Sequence, residues 1–194
     1  MCEQGKYSNN TITCIEVPSG MYPSNCSDTL NKKGCSLIKP CPRGFFCPPK
    51  TAKPHPCDPG YYSNFTGAST QTACKNCTAG SVTDQLANPG ATTCDECVAG
   101  QYSASSQTAC ANCGNGYETN TLTAAGATTC TQCVAGQYSA NSQTACQSCP
   151  AGSVTDTLGT AGGTTCTQCD AGEYSPNSTV ACKNCPAGSV TNQL

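Results

Sequence analysis

The sequence predicts small disulfide-rich repeats: an elongated rod of short β-hairpin loops, with little regular secondary structure and no helical core. Three observations predict it. Twenty-one of 194 residues are cysteine, a density typical of secreted disulfide scaffolds. Large apolar side chains are scarce, with no Trp and three Phe, so an ordinary core cannot offset the entropy of ordering the chain. From Cys74 onward the cysteines recur as Cys-x-x-Cys pairs starting at 74, 94, 110, 130, 146, 166 and 182, and the steps of 20 and 16 alternate to give a 36-residue period.

Residues 94–129 and 130–165 agree at 23 of 36 positions, the mark of a quasi-one-dimensional array. Helical solenoids share such periods but need apolar stripes at three- and four-residue spacing. Here the loops read Val-Ala-Gly-Gln-Tyr-Ser and Pro-Ala-Gly-Ser-Val-Thr, and their Gly, Ser and Thr favour turns and strands. The chain therefore divides into an irregular basic cysteine-rich segment (1–56), a first atypical repeat (57–93), two full repeats (94–129 and 130–165) and a repeat cut short (166–194).

Alternate half-repeats open as Cys-x-x-Gly-x-Tyr-Ser, at Cys2, Cys57, Cys97, Cys133 and Cys169. The intervening halves mostly carry Val at the Tyr position: Val82, Val154 and Val190. The Gly permits a positive φ where the chain turns away from the cysteine. The next three residues usually alternate polar, large, polar, as in a short strand with one covered face. On this reading Tyr7, Tyr62, Tyr102, Tyr138 and Tyr174 cover the adjacent disulfides and supply the little apolar burial there is.

Spacing suggests that the second Cys of each pair bonds the first of the next. That gives Cys57–Cys74, Cys77–Cys94, Cys97–Cys110, Cys113–Cys130, Cys133–Cys146, Cys149–Cys166 and Cys169–Cys182, with Cys2–Cys14 closing the same motif at the start. A bridge over about 15 residues stabilises by roughly 3 kcal/mol. Cys185 is left over, and its partner is expected beyond Leu194. Cys26, Cys35, Cys41 and Cys47 allow three pairings, and the interlocked scheme (first to third, second to fourth) stays open throughout. No signal peptide follows Met1, so the numbering is expected to start within a processed or trimmed chain, a piece of something longer.

No catalytic constellation is visible, and an enzyme is not expected. Knuckles such as 94/97 with 110/113 could formally hold zinc. The unbroken series of pairs argues for disulfides instead, so neither a metal nor a cofactor is expected. Redox chemistry of the thioredoxin type would need a βαβ context that is absent. His55, the single histidine, sits in Lys-Pro-His-Pro and reads as a solvated residue of an extended connector. The acidic residues are isolated, with no calcium-loop spacing. Net charge is −2 without a basic, aromatic-studded stripe, which excludes nucleic acid as a partner. No apolar run reaches membrane-spanning length.

Five Asn-x-Ser/Thr acceptors occur, at Asn9, Asn25, Asn64, Asn76 and Asn177, and imply covalent glycans on a secreted chain. Asn25 and Asn76 adjoin cysteines, where folding obstructs transfer. Asn9, Asn64 and Asn177 lie inside repeat-type loops and are the stronger acceptors.

The loop from Cys97 through Val-Ala-Gly-Gln-Tyr-Ser to Cys110-Ala-Asn-Cys113 resembles the cysteine-rich repeats of ephrin receptors and tumour-necrosis-factor receptors. The resemblance implies a Cys-x-x-Gly-x-Tyr loop closed by one disulfide, in line with neighbour pairing. The stretch Cys41-Pro-Arg-Gly-Phe-Phe-Cys47 and its continuation to Cys57-Asp-Pro-Gly-Tyr-Tyr-Ser63 is similar to a variant in large extracellular proteins of protists. The near-identical Ala-Gly-Ser-Val-Thr copies resemble ciliate surface antigens of the immobilisation type, although no leader or lipid-anchor tail is visible. The likeness is specific for an extracellular module and unspecific for function.

The expected location is extracellular or at the cell surface. The expected role is structural: a glycosylated surface coat, stalk or filament, since near-identical repeats leave no single repeat specialised for a ligand. Residues 1–56 carry net charge +4 and residues 57–194 net −6, which would favour a head-to-tail homo-polymer. The alternative is a receptor or adhesin ectodomain that binds a ligand through Lys32, Lys33, Lys39, Arg43, Phe45 and Phe46. Against that role, Phe45 and Phe46 would serve to cover the Cys41 and Cys47 bridges.

Overall fold

The computed structural model describes residues 1–8, 13–29 and 33–190. The chain forms two compact units, Met1–Asp95 with Ser105–Ala109, and Glu96–Ala104 with Cys110–Leu194. Almost all regular structure is short antiparallel hairpin. The one helical element described is a single 3-10 turn, Gln71–Ala73.

The first unit opens on a four-stranded sheet in the order β2-β1-β4-β3, from β1 (Lys6–Tyr7), β2 (Ile15–Glu16), β3 (Met21–Asp28) and β4 (Lys33–Pro40). Residues 1–56, read from the sequence as irregular, thus hold the longest strands described, two of eight residues each. Pro23 is tolerated within β3 because β3 is the sheet edge, where a missing N–H breaks no ladder. Cys26 lies directly opposite Cys35, and the two are bonded. Next come β5 (Phe45–Phe46) with β6 (His55–Pro56), β7 (Tyr61–Tyr62) with β8 (Lys75–Asn76), and β9 (Ser81–Thr83) with β10 (Cys94–Glu96).

The second unit repeats one hairpin design. β11 (Gln101–Tyr102) pairs with β12 (Ala111–Asn112), and β13 (Tyr117–Thr119) with β14 (Cys130–Gln132). β15 (Gln137–Tyr138) pairs with β16 (Gln147–Ser148), β17 (Ser153–Thr155) with β18 (Cys166–Gln168), and β19 (Glu173–Tyr174) with β20 (Lys183–Asn184). The Cys-x-x-Cys spacing follows from this design. The two residues between the cysteines, such as Ala111 and Asn112, lie in the return strand of one hairpin, and the second cysteine opens the next.

The turn out of each cysteine is closed by an i to i+3 bond, as where Gln101 N–H donates to Val98 O at 2.9 Å. Gly100 stands third in that turn at φ +81°, the signature of a type II turn. Equivalent bonds run from Gln137 to Val134 at 3.0 Å and from Glu173 to Asp170 at 2.9 Å.

The interior is small and polar. Of the motif's tyrosines, read as its apolar cover, Tyr7, Tyr62, Tyr102 and Tyr138 are half-buried and Tyr174 is exposed (43%). The residue after each tyrosine is the buried one: Ser63 is 1% exposed, Ser139 2% and Ser103 3%. In the alternate halves Thr83, Thr119 and Thr155 are buried to the same degree. Small side chains let backbones meet directly, and Ser63, Ser103 and Ser139 each donate N–H to a carbonyl of the following half-repeat, at Ala91, Ala127 and Gly163 (3.0–3.1 Å). Large tyrosines could not be accommodated at that distance, so they lie to the side.

Candidate functional site

The cysteine framework positions everything else. Ten disulfides join neighbours in sequence: Cys2–Cys14, Cys26–Cys35, Cys41–Cys47, Cys57–Cys74, Cys77–Cys94, Cys97–Cys110, Cys113–Cys130, Cys133–Cys146, Cys149–Cys166 and Cys169–Cys182. The four cysteines whose pairing the sequence leaves open are therefore joined as 26–35 and 41–47. Cys185 has no bridging partner within residues 1–194. Among the described residues no group of three His, Cys, Asp or Glu side chains is placed to hold a metal ion. No helix among them is long and apolar enough to cross a membrane.

Hydrogen bonds across the bridged loops form a seam. Thr119 N–H donates to Ser142 O at 3.0 Å, and Ser142 Oγ donates to Gly100 O at 3.2 Å. One period later Thr155 N–H donates to Ser178 O at 3.1 Å, and Ser178 Oγ donates to Gly136 O at 3.1 Å. In the first unit Thr83 N–H donates to Ser106 O at 3.1 Å, and a Cβ on Gly60 would meet Ser106 Oγ at 3.2 Å. The glycine, the buried threonine and the serine thus form one repeated contact, and burial of the Thr119 and Ser142 hydroxyls is tolerated because carbonyl partners satisfy them. Reading the motif for large side chains misses these serines. Their constant place, three residues after Ser103, Ser139 and Ser175, is the sequence signal that identifies them.

A second repeated device staples the intervening loops. Asp84 Oδ1 accepts Thr92 N–H at 2.8 Å and Thr93 N–H at 3.3 Å, while Thr92 Oγ1 donates to Oδ2 at 2.7 Å. Asp156 holds Thr164 and Thr165 in the same way. Asn120 does so with Thr128 and Thr129 through its amide oxygen. Desolvation alone would raise the Asp84 carboxyl, but the Thr92 and Thr93 bonds together outweigh it and hold it below its ordinary value. The Thr164 side chain is the main cause of the same lowering at Asp156. These acids read as isolated in the sequence. The Thr-Thr pair eight residues on reveals their role.

The ligand candidates of the N-terminal segment are dispersed in character. Lys39 and Arg43 are exposed, and Leu37, two residues from Lys39 on β4, is 54% exposed. Lys32 lies outside the described residues, and Lys33 opens β4. Lys50 is paired with Glu16 at 2.8 Å. Phe46 stacks on His55 with ring centroids 5.5 Å apart. Phe45 lies against Gly90, where an added Cβ would meet its Cζ at 3.5 Å. His55, read as a connector residue, is instead part of a hairpin, opposite Phe46.

The glycan acceptors differ sharply. Asn64 is exposed in a loop. Asn76 lies in β8 beside the buried, bridged Cys77. Asn25 sits in β3 at φ +51°, and its Nδ2 donates to Ser36 Oγ at 2.7 Å. The Oδ1 of Asn177 accepts both the N–H and the hydroxyl of Thr179, at 3.0 and 2.6 Å. Asn9 lies outside the described residues.

A family model described as tyrosine-protein kinase ephrin type A/B receptor-like matches residues 121–164. That stretch begins within one intervening loop and ends within the next, taking in the Cys133–Cys146 hairpin. No curated protein matches the chain. The family match and the ten disulfides support cysteine-rich receptor-like repeats and point to an extracellular or cell-surface location.

Proposed function

We propose that this chain is an extracellular structural protein whose 36-residue repeats build a glycan-bearing surface coat, stalk or filament. The observation that carries the reading is the repeated seam. The same Thr–Ser contact recurs at Thr83–Ser106, Thr119–Ser142 and Thr155–Ser178, and its side chains serve cohesion, leaving none set apart for a substrate. The role is non-catalytic: ten bridges occupy all the cysteines but Cys185, and the single histidine is stacked on Phe46. Near-identical copies further support a surface antigen of the protist type.

Polymerisation joins the basic N-terminal segment of one copy to the acidic repeats of the next. Exposed Lys39, Arg43 and Lys53 supply the positive side, and exposed Asp95, Glu96 and Asp170 the negative. Such contacts weaken as salt shortens the screening length. Electron microscopy of the native material tests the reading: fibres or an ordered coat that loosens in high salt support it, and singly dispersed molecules overturn it.

A receptor or adhesin role is the second reading, favoured by exposed Leu37 beside Lys39 on β4 and by the receptor-like family match. It requires that labelled protein adhere to cells and that K39E/R43E abolish adhesion. Unchanged adhesion by that variant removes the N-terminal segment as the ligand site.

A further inference from the structure

We infer that Asn64 is the position among Asn25, Asn64, Asn76 and Asn177 that carries an N-linked oligosaccharide, and that folding withdraws the other three from the same reaction. The inference rests on the extracellular reading and names where its glycan sits. The transfer forms a bond from Asn Nδ2 to the anomeric carbon of the sugar. It breaks that carbon's bond to the diphosphate of a lipid-linked oligosaccharide donor, and lipid diphosphate leaves as the amide gives up a proton. The acceptor must therefore offer a free Nδ2 on a segment that a transferase can hold extended, while folding competes for the same residues.

Asn64 meets both demands. The segment 64–67 is exposed at every residue, and the Asn64 side chain makes no hydrogen bond among the described residues. Its flanks are fixed: Ser63 N–H donates to Ala91 O at 3.1 Å, and Cys47 N–H donates to Ala68 O at 2.9 Å. Ser63 and Ala68 are buried. The loop between them can therefore carry a bulky group without disturbing the bridges on either side.

Each other acceptor is withdrawn by a different contact. Asn25 spends its Nδ2 on Ser36, and the middle residue of its motif, Cys26, is bonded across the hairpin to Cys35. Asn76 is paired with Tyr61 in β8, and Cys77 is bridged to Cys94 while its N–H is held by Gly60 O at 2.9 Å. Asn177 is curled back onto Thr179, and Ser178 between them belongs to the seam through Gly136 and Thr155. Asn141 makes the matching turn with Gln143 one period earlier, so the curl is a property of the fold and is not peculiar to Asn177.

The test expresses the 194-residue chain behind a cleavable secretion leader in eukaryotic cells. Peptide N-glycosidase in heavy-oxygen water then marks each formerly occupied asparagine for mass spectrometry. The expected result is a mark on Asn64 in most molecules and on Asn25, Asn76 and Asn177 in few. N64Q and T66A should each remove one glycan on a gel, with the non-reducing peptide map unchanged. C94S, which frees Cys77, should raise occupancy at Asn76 several-fold. A bare Asn64, or Asn25, Asn76 and Asn177 filled as fully as Asn64, overturns the inference. No gain at Asn76 in C94S overturns the role given to the bridge. The extracellular reading stands or falls separately, on whether the bridges are present in native material.

Discussion

The hydroxyl of Ser142 donates to the carbonyl of Gly100 at 3.2 Å across 42 residues of chain. The bond joins two Tyr-type half-repeats and skips the one between them, whose Thr119 is bonded to the backbone of the same serine. Ser178 makes the matching bond to Gly136 O one period later, so in the second unit these two serines tie their loops both to the preceding half-repeat and to the one before it. The disulfides close individual loops, and the seam couples successive loops within a unit.

Glycine substitutions separate backbone strain from seam contact. Gly116 and Gly152 both sit at positive φ, +78° and +75°. A Cβ on Gly116 would stand 2.3 Å from Gly162 O, whereas one on Gly152 meets nothing within 4 Å. G152A should therefore cost only the intrinsic penalty of a left-handed residue, about 1–2 kcal/mol. G116A should cost clearly more, because a backbone carbonyl must also move. Denaturant unfolding of both variants under non-reducing conditions checks the order, and equal losses would remove the close approach as a source of specificity.

The aspartate staples predict an acid limb in stability. Asp84 and Asp156 have folded-state pKa values below the ordinary 3.8. Their stabilisation is complete above that ordinary value and is lost as pH falls through the depressed folded value. Asn120 makes the same backbone contacts without a charge, so D84N/D156N should retain the loops and flatten the acid limb. Denaturation midpoints followed from about pH 6 to about pH 2 measure this. An unchanged slope would assign the acid sensitivity to other carboxylates.

Single bridges should be separable from the fold. Cys113–Cys130 spans 17 residues, and the loop-entropy model gives about 3 kcal/mol for a bridge of that size. C113S/C130S should lose about that much while the flanking bridges persist in the non-reducing peptide map. Alkylation of the 194-residue chain without reductant should tag Cys185, which has no bridging partner within it. Scrambled bridges in the double variant would mean that this loop guides the pairing of its neighbours.

Much of this architecture is legible in residues 94–165, where cysteine spacing and the Gly-x-Tyr-Ser motif together call for hairpins. Composition there excludes helix, and none forms there. Two features are harder to read. The β3–β4 hairpin contains Pro23, Asn25 and Gly34, all poor strand formers, and it depends on sheet position and the Cys26–Cys35 bridge instead of local propensity. The buried side of each short strand is occupied by Ser103 or Ser139, with the neighbouring tyrosine half-buried. A search for large apolar residues selects the tyrosine, but here the limit is how closely two backbones approach. His55 misleads for a related reason. Its flanking prolines suggest an isolated connector, yet the partner strand at Phe46 lies nine residues upstream and supplies the stacking ring.

A polar seam can be distinguished from an apolar core by one isosteric change. Thr119 is 1% exposed, and its Oγ1 lies 3.3 Å from both Leu122 O and Ser142 O. T119V keeps the volume and adds apolar surface, so a core held by apolar burial would tolerate or favour it. In a polar seam the methyl instead faces carbonyls that lose their hydroxyl donor, at a cost of about 1–3 kcal/mol. S142A, which removes the donor to Gly100 O, should cost about 1 kcal/mol. The two bonds meet at Ser142, one at its carbonyl and the other at its hydroxyl, and neighbouring sites of this kind couple, so the loss in T119V/S142A should depart from the sum of the single variants. Stabilisation by T119V together with no loss in S142A would show that the seam bonds contribute nothing and that the disulfides alone hold the loops together.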